Sequence, residues 1–371
     1  MDNIKNIPKS PVLTPMVFAN VIGVIILVNI IAHMHRIAPA VITPEIMQDL
    51  SLEPSTMALI TGSSMAAAML FQVPSGLMFD RFGVTKTVPV LMLFGAMGAA
   101  LFAVASSATQ LAVGRALSGF GCGSLIMGSL VLCFTILPKS QFAFVSGIVL
   151  SLGQLGNILV SLPLAQLSEI IGWQNAFYCL SFITLLAAIL YFITMKISDI
   201  PLINSEEKIK DAIKTTSRIF CDRRLWPIFV MAFTGYSTHF ALMALWYGLF
   251  LDELGLDLLR RGQILLFVNI AFASGLFVFG RAVSIFPNVK SVVLSGSCFT
   301  VILLFILTVT PWPSSQTATL IFVLIGFSGG FTVSIIAHGA SFYQTDEFGR
   351  GVTAMNTLVL GGATITPIWT G

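Results

Sequence analysis

In the stretch IAHMHRIAPAV, residues 31–41, His33, His35 and Arg36 close a long apolar run. Asn29, His33 and Arg36 recur at i, i+4 and i+7, which puts an amide, an imidazole and a guanidinium on one helical stripe. His35 points a quarter-turn or more away. A fixed positive charge flanked by neutral hydrogen-bonding groups suits recognition of an anion. An arginine near a helix end can also snorkel to the headgroups. Three polar groups on one face of an otherwise apolar helix imply that this face looks into a cavity.

Two further runs repeat the pattern. In FTGYSTHFALMALWYGLFLDELGL, residues 233–256, Tyr236, His239, Met243 and Trp246 share a stripe at i, i+3, i+7 and i+10. Gln154, Asn157 and Ser161 form a third. A lone histidine in a helix is more often a satisfied core residue than a ligand. A membrane amide is as often an interhelix pin, worth ~0.6 kcal/mol, as a ligand. His239, Asn269 and Asn356 therefore carry both readings. Arg115, followed by Gly119 and Gly123 at four-residue intervals, either caps backbone carbonyls or supplies a functional charge to the interior. No Asp or Glu lies deep in any predicted span to neutralise it. Histidine titrates near pH ~6.5, so His33 and His239 are the candidate proton sites.

These side chains must be positioned in a bilayer. The 371 residues are 56% hydrophobic and 9% charged, with a mean hydropathy of +0.94, whereas soluble domains carry about 25% charged residues. A helix needs ~20 apolar residues to cross hydrocarbon. Eleven predicted spans satisfy this, near 16–40, 56–79, 87–107, 110–136, 141–168, 173–195, 225–250, 260–281, 289–310, 316–338 and 350–369. The fold class is an all-α polytopic membrane protein. The longest polar gap, 196–224, separates a six-helix half at 1–195 from a half at 225–371 with five helices. Fifteen of the 19 basic residues fall on the side that includes the N-terminus and this gap. That asymmetry predicts a cytoplasmic N-terminus in a cell inner (plasma) membrane. The start MDNIKNIPKSP does not read as a cleavable signal.

Other classes are disfavoured. The five cysteines are odd in number and scattered, which argues against a disulfide framework. There is no GxxxxGK[ST] loop, no Cys or His pair at zinc spacing and no cofactor motif. The basic residues of 208–224 read as topology signals beside anionic lipid, and no nucleic-acid role is expected.

Between the second and third spans stands GLMFDRFGVTK, residues 76–86, in which Gly76, Asp80, Arg81, Gly83 and Lys86 match a loop signature. GRALSGFGCG (114–123), GWQNAFY (172–178) and GRGVTAMNTLVLGGATITP (349–367) match further helix motifs. In combination the chain resembles the major facilitator superfamily over essentially its whole length. Its style is nearest to the bacterial organic-anion and sugar-phosphate permease-like branches. Val84, Thr85 and Gln174 depart from the usual basic residues, and the second-half loop, 275–290, lacks the acidic residue.

The resemblance implies two six-helix halves that rock about a midplane site by alternating access, with the 76–86 loop as a gating latch. It also implies that Arg36 stands where anion-transporting branches meet substrate. The second Arg that organophosphate exchangers place near His239 is missing, which favours a carboxylate. The antiporter motif of drug exporters and an intramembrane acid are both missing, which disfavours a drug or cation exporter. The expectation is a monomeric secondary transporter of a small organic anion, either coupled to protons or working as a uniporter or exchanger. A twelfth helix would follow Gly371. Its absence is read as a truncated frame or fragment, and it keeps open a transporter-like receptor or an inactive remnant.

Overall fold

The structure is a computed structural model that describes residues 14–137, 139–198, 218, 220–286, 288–310, 314–340, 342 and 348–370. Among the described residues, ten helices are long and apolar enough to cross a membrane: Pro15–Val41, Pro54–Gln72, Val84–Ala103, Ala108–Cys133, Val145–Ile171, Trp173–Ile197, Trp226–Glu253, Leu258–Val283, Val289–Val309 and Ser315–Ile335. They are spans one to ten in chain order. The eleventh expected segment forms the helix Phe348–Thr370. Residues 1–13 and 199–217, which hold many of the topology-setting charges, lie outside the described residues.

Helix starts follow local chemistry. Thr14, Ser107, Asp257 and Ser314 each accept a hydrogen bond from a first-turn N–H, which satisfies donors that a helix start leaves orphaned. Pro15 and Pro54 occupy first-turn positions, where a missing N–H costs nothing. Gly83, between spans two and three, has φ 79°. Glycine, having no Cβ, enters this conformation without the clash another residue would suffer, which makes a tight link possible. Large apolar side chains such as Phe182, Phe192, Phe277 and Phe305 cover the outside, where the solvent is hydrocarbon.

Spans one to six pack on one another, as do spans seven to ten with the last helix. Among the described residues the two groups meet chiefly where span one faces span seven, span five faces span eight, and span two faces the last helix. The seams are unequal along their length. At the end where span one finishes (the far end), one core joins Ile37, Val41, Met57 and Leu164 to Met243, Leu251, Ile264 and Val268. Toward the end where span one begins, the cores are separate. Val21, Val88, Leu132 and Tyr191 belong to one, and Leu225, Phe229, Phe331 and Met355 to the other. A smaller core near the middle of span two joins Met65 and Ala68 to Phe240, Ala244 and Leu360. Among the described residues the bundle is therefore zipped at the far end and through its middle, and its cores are divided at the other end.

Candidate functional site

The α-helix of span one ends at Ile37 and tightens into a 3-10 turn, Ala38–Val41. Pro39 explains the change, because it has no N–H to return to the carbonyl four residues earlier, that of His35. Arg115 of span four takes up the slack. Its Nη1 donates to the His35 carbonyl at 2.6 Å and its Nη2 to the Arg36 carbonyl at 3.2 Å. The side chain is only 2% exposed, and no carboxylate pairs with it among the described residues. A cation on the last carbonyls of a helix sits at the negative end of the helix dipole, which supplies part of the missing counter-charge. Of the two sequence readings of Arg115, this geometry is that of the carbonyl cap.

Arg36 is half-buried, and its Nη1 donates to the Tyr236 hydroxyl of span seven at 3.2 Å. It too has no carboxylate partner among the described residues. Beside it lies a small crevice, with room for about one water, between spans one, two and four, lined by His35, Ser64, Ala68, Ser118 and Gly123 among others. His35 lies against span six, with Nε2 2.8 Å from Thr184 Oγ1. Thr184 donates its own proton to the Leu180 carbonyl, so the imidazole is the donor.

The rest of the first stripe leads elsewhere. Asn29 is fully buried, donating to the Ile25 carbonyl at 2.9 Å and to Ser129 Oγ of span four at 2.8 Å. His33 is buried against span five, beside Gly153 and Gly156. Among the described residues, the hydrogen bond from this stripe that crosses to the second group is the one from Arg36.

Span seven is interrupted by two π-helical turns, Ala232–Tyr236 and Leu242–Trp246. Wider turns rotate the residues after them, so the expected single stripe is divided. Tyr236 meets Arg36, and Trp246 donates to Thr370 Oγ1 of the last helix at 2.9 Å. His239 is buried and stacks on Phe272 of span eight at 4.6 Å. Gly329 of span ten lies so close against its ring that a Cβ there would overlap it. Neither ring nitrogen of His239 has a partner among the described residues.

On span five, Asn157 donates to Gln154 Oε1 at 2.8 Å, and Ser161 donates to the Asn157 carbonyl at 2.8 Å. Asn269 of span eight donates to Ser161 Oγ across the seam at 2.9 Å. Asn356 is half-buried on the last helix. In the 76–86 loop Arg81 and Lys86 are exposed, and the Gly83 N–H closes the helix end on the Phe79 carbonyl at 3.0 Å. Asp80 belongs to the helix Pro54–Phe82, but its side chain lies outside the described residues.

Sequence reasoning missed a charged knot at the far end. Arg261, 2% exposed, donates to Glu45 of the first group, to Asp252 at the end of span seven, and to the Leu256 carbonyl at 3.1 Å. Burial holds the Glu45 carboxyl above the usual range despite the neighbouring guanidinium. The available signal was an Arg-Arg pair opening a span while acids close the previous one. Glu45, 216 positions away, could not have been paired from spacing.

A family model described as Major Facilitator Superfamily matches residues 25–367. The hexuronate transporter of Bacillus subtilis is 27% identical over 244 residues, 64% of this chain and 57% of that protein. A probable sulfoacetate transporter, SauU, of Cupriavidus necator is 27% identical over 171 residues, 46% of this chain and 40% of that protein. The chain thus spans about half the length of these curated relatives. Among solved structures, a point mutant of the nucleoside transporter NupG superposes with a TM-score of 0.78 at 12% identity, covering 94% of this chain and 90% of that one. An inward-facing, unoccupied bacterial homologue of the human lysosomal transporter Spinster gives 0.75 at 14%, covering 96% and 82%. These two likenesses concern the fold.

Proposed function

The chain belongs to the Major Facilitator Superfamily, whose members are membrane carriers and not enzymes, and from that premise we propose that it moves a small organic anion of carboxylate character by alternating access. The observation that carries this reading is Arg36, a half-buried guanidinium where the two helix groups meet, bonded across the seam to Tyr236 and to no carboxylate among the described residues. A planar fork of donors of this kind suits a carboxylate held by two parallel bonds. A substrate anion would displace the long bond to Tyr236 and tie both groups together. The relatives' names agree with this chemistry, since hexuronate and sulfoacetate both carry a carboxylate. Arg115 supports the site by fixing the helix end that carries Arg36.

In this proposal the moving halves are 1–195 and 225–371, joined by a cytoplasmic 196–224 loop. With the N-terminus in the cytoplasm, the zipped far end is external and the divided end internal, an inward-open arrangement. The 76–86 loop then acts on gating and not on affinity, so Asp80→Asn slows exchange while binding moves only a few-fold. Impermeant external labelling of Ser205→Cys in intact cells, with the native cysteines replaced, tests the orientation; no labelling is expected. Proton coupling has His33 and His239 as its titratable candidates.

The decisive experiment is binding and liposome uptake with D-glucuronate and sulfoacetate as probes. Losing one partner of a desolvated charge contact costs ~2–5 kcal/mol, so Arg36→Ala should weaken binding by about 30-fold or more. Arg36→Lys keeps the charge without the fork and should recover only part. Full recovery by lysine together with near-normal binding by alanine would remove the anion site.

A further inference from the structure

We propose that Asn157 and Asn269 form a hydroxyl-recognising pair on the seam between spans five and eight, so that the site discriminates hydroxylated carboxylates from plain ones. This rests on Arg36 as the anion site and adds the part of the substrate that Arg36 does not reach.

The argument is an account of donors and acceptors. Both amides stand near the middle of their spans, each 4% exposed. Asn269 Nδ2 spends both protons, on the Leu265 carbonyl and on Ser161 Oγ, each at 2.9 Å. Ser161 spends its proton on the Asn157 carbonyl. Asn157 Nδ2 donates to Gln154 Oε1. Two acceptors are left over, Asn157 Oδ1 and Asn269 Oδ1, both buried and without a donor among the described residues. Buried amide oxygens are nearly always satisfied, so two orphans in one bonded cluster call for a donor, either a bound water or a ligand group.

The chemistry narrows that donor. A carboxylate has no proton to give. An ammonium would need a counter-charge in hydrocarbon, and no Asp or Glu lies within the interior of spans five or eight. A neutral hydroxyl fits, needing an acceptor and no charge. Location agrees. Gly156, next to Asn157, lies against His33 Cβ and the Ile30 carbonyl of span one, which places the cluster beside the helix that carries Arg36. The Ser161–Asn269 bond also crosses between the two helix groups, so it must break when they part. Hydroxyls that bind there would report closure of the seam as well as identity.

The test uses the whole protein in nanodiscs and two six-carbon acids, gluconate with five hydroxyls and hexanoate with none. Wild-type protein should bind gluconate more tightly. Asn157→Leu and Asn269→Leu, similar in size and without the amide, should each cut the gluconate-to-hexanoate affinity ratio by about tenfold. Where a Leu variant does not fold, as judged by unliganded melting, Asn→Ser provides a smaller acceptor and should retain part of the ratio. Equal losses for both acids, or a wild-type protein indifferent to hydroxyls, would overturn the proposal and leave the amides as water-bound interhelix pins. Failure of the underlying anion reading looks different: Arg36→Ala would then leave binding of both acids intact.

Discussion

A guanidinium buried in hydrocarbon needs many acceptors, and Arg115 finds two of them in backbone that another residue has disarmed. Pro39 withholds its N–H from the His35 carbonyl, and Arg115 supplies the replacement. Arg115→Met keeps the volume but orphans two carbonyls, so it should cost ~2–4 kcal/mol in thermal unfolding of the detergent-solubilised protein. Pro39→Ala offers the missing N–H again. The double variant should therefore be less damaged than the sum of the singles by ~1 kcal/mol. Strict additivity would mean that the arginine is not serving this helix end. Both interpretations of Arg115 were available from the sequence, and Pro39, four residues after His35, was the sign of a helix-end carbonyl in need of another donor. What could not be read was that the two chain segments, some 80 positions apart, come together.

At the scale of the helix, small residues set how closely spans approach. A Cβ on Gly119 would overlap the Ser64 carbonyl oxygen, while one on Gly147 would meet nothing within 4 Å. Gly119→Ala should then push spans two and four apart and cost ~1–3 kcal/mol. Gly147→Ala should be neutral or slightly stabilising, since alanine favours helix by up to ~1 kcal/mol. Comparing the two melting temperatures checks this; equal shifts would contradict the packing. The glycine spacing after Arg115 was legible because period-four small residues have one structural use in a bundle. So were the spans, since twenty-residue apolar runs have few alternatives. The stripe of Tyr236, His239 and Trp246 was not, because it assumed 3.6 residues per turn and span seven contains two π turns. Such turns are frequent at functional sites, but these carry no proline to announce them. Nor does a stripe say what faces it. Asn29 and Arg36 share a face, yet one meets span four and the other span seven.

For the whole molecule, the question is what holds the far end shut. Apolar packing contributes, and Arg261 adds a charged clasp from Asp252 to Glu45 across the two helix groups. Both carboxylates are partly exposed, so solvent screens the pairs and Arg261→Met should release only ~1–2 kcal/mol, moving the closed-to-open ratio about tenfold. Spin labels at Gln48→Cys and Glu253→Cys, both at exposed positions of opposite groups, would report this as a longer distance distribution. The clasp also makes the far end sensitive to pH, and the sign follows from Glu45. With the end closed, burial lifts its carboxyl above the ordinary range; with the end open, water returns it toward that range. The closed form thus binds the proton more tightly. Acidification through the raised pKa should favour closure, and raising the pH should favour opening. Glu45→Gln cannot titrate, so its label distances should no longer respond over that range. A pH response that survives this substitution unchanged would assign the sensitivity to another group and reduce Glu45 to a static partner of Arg261.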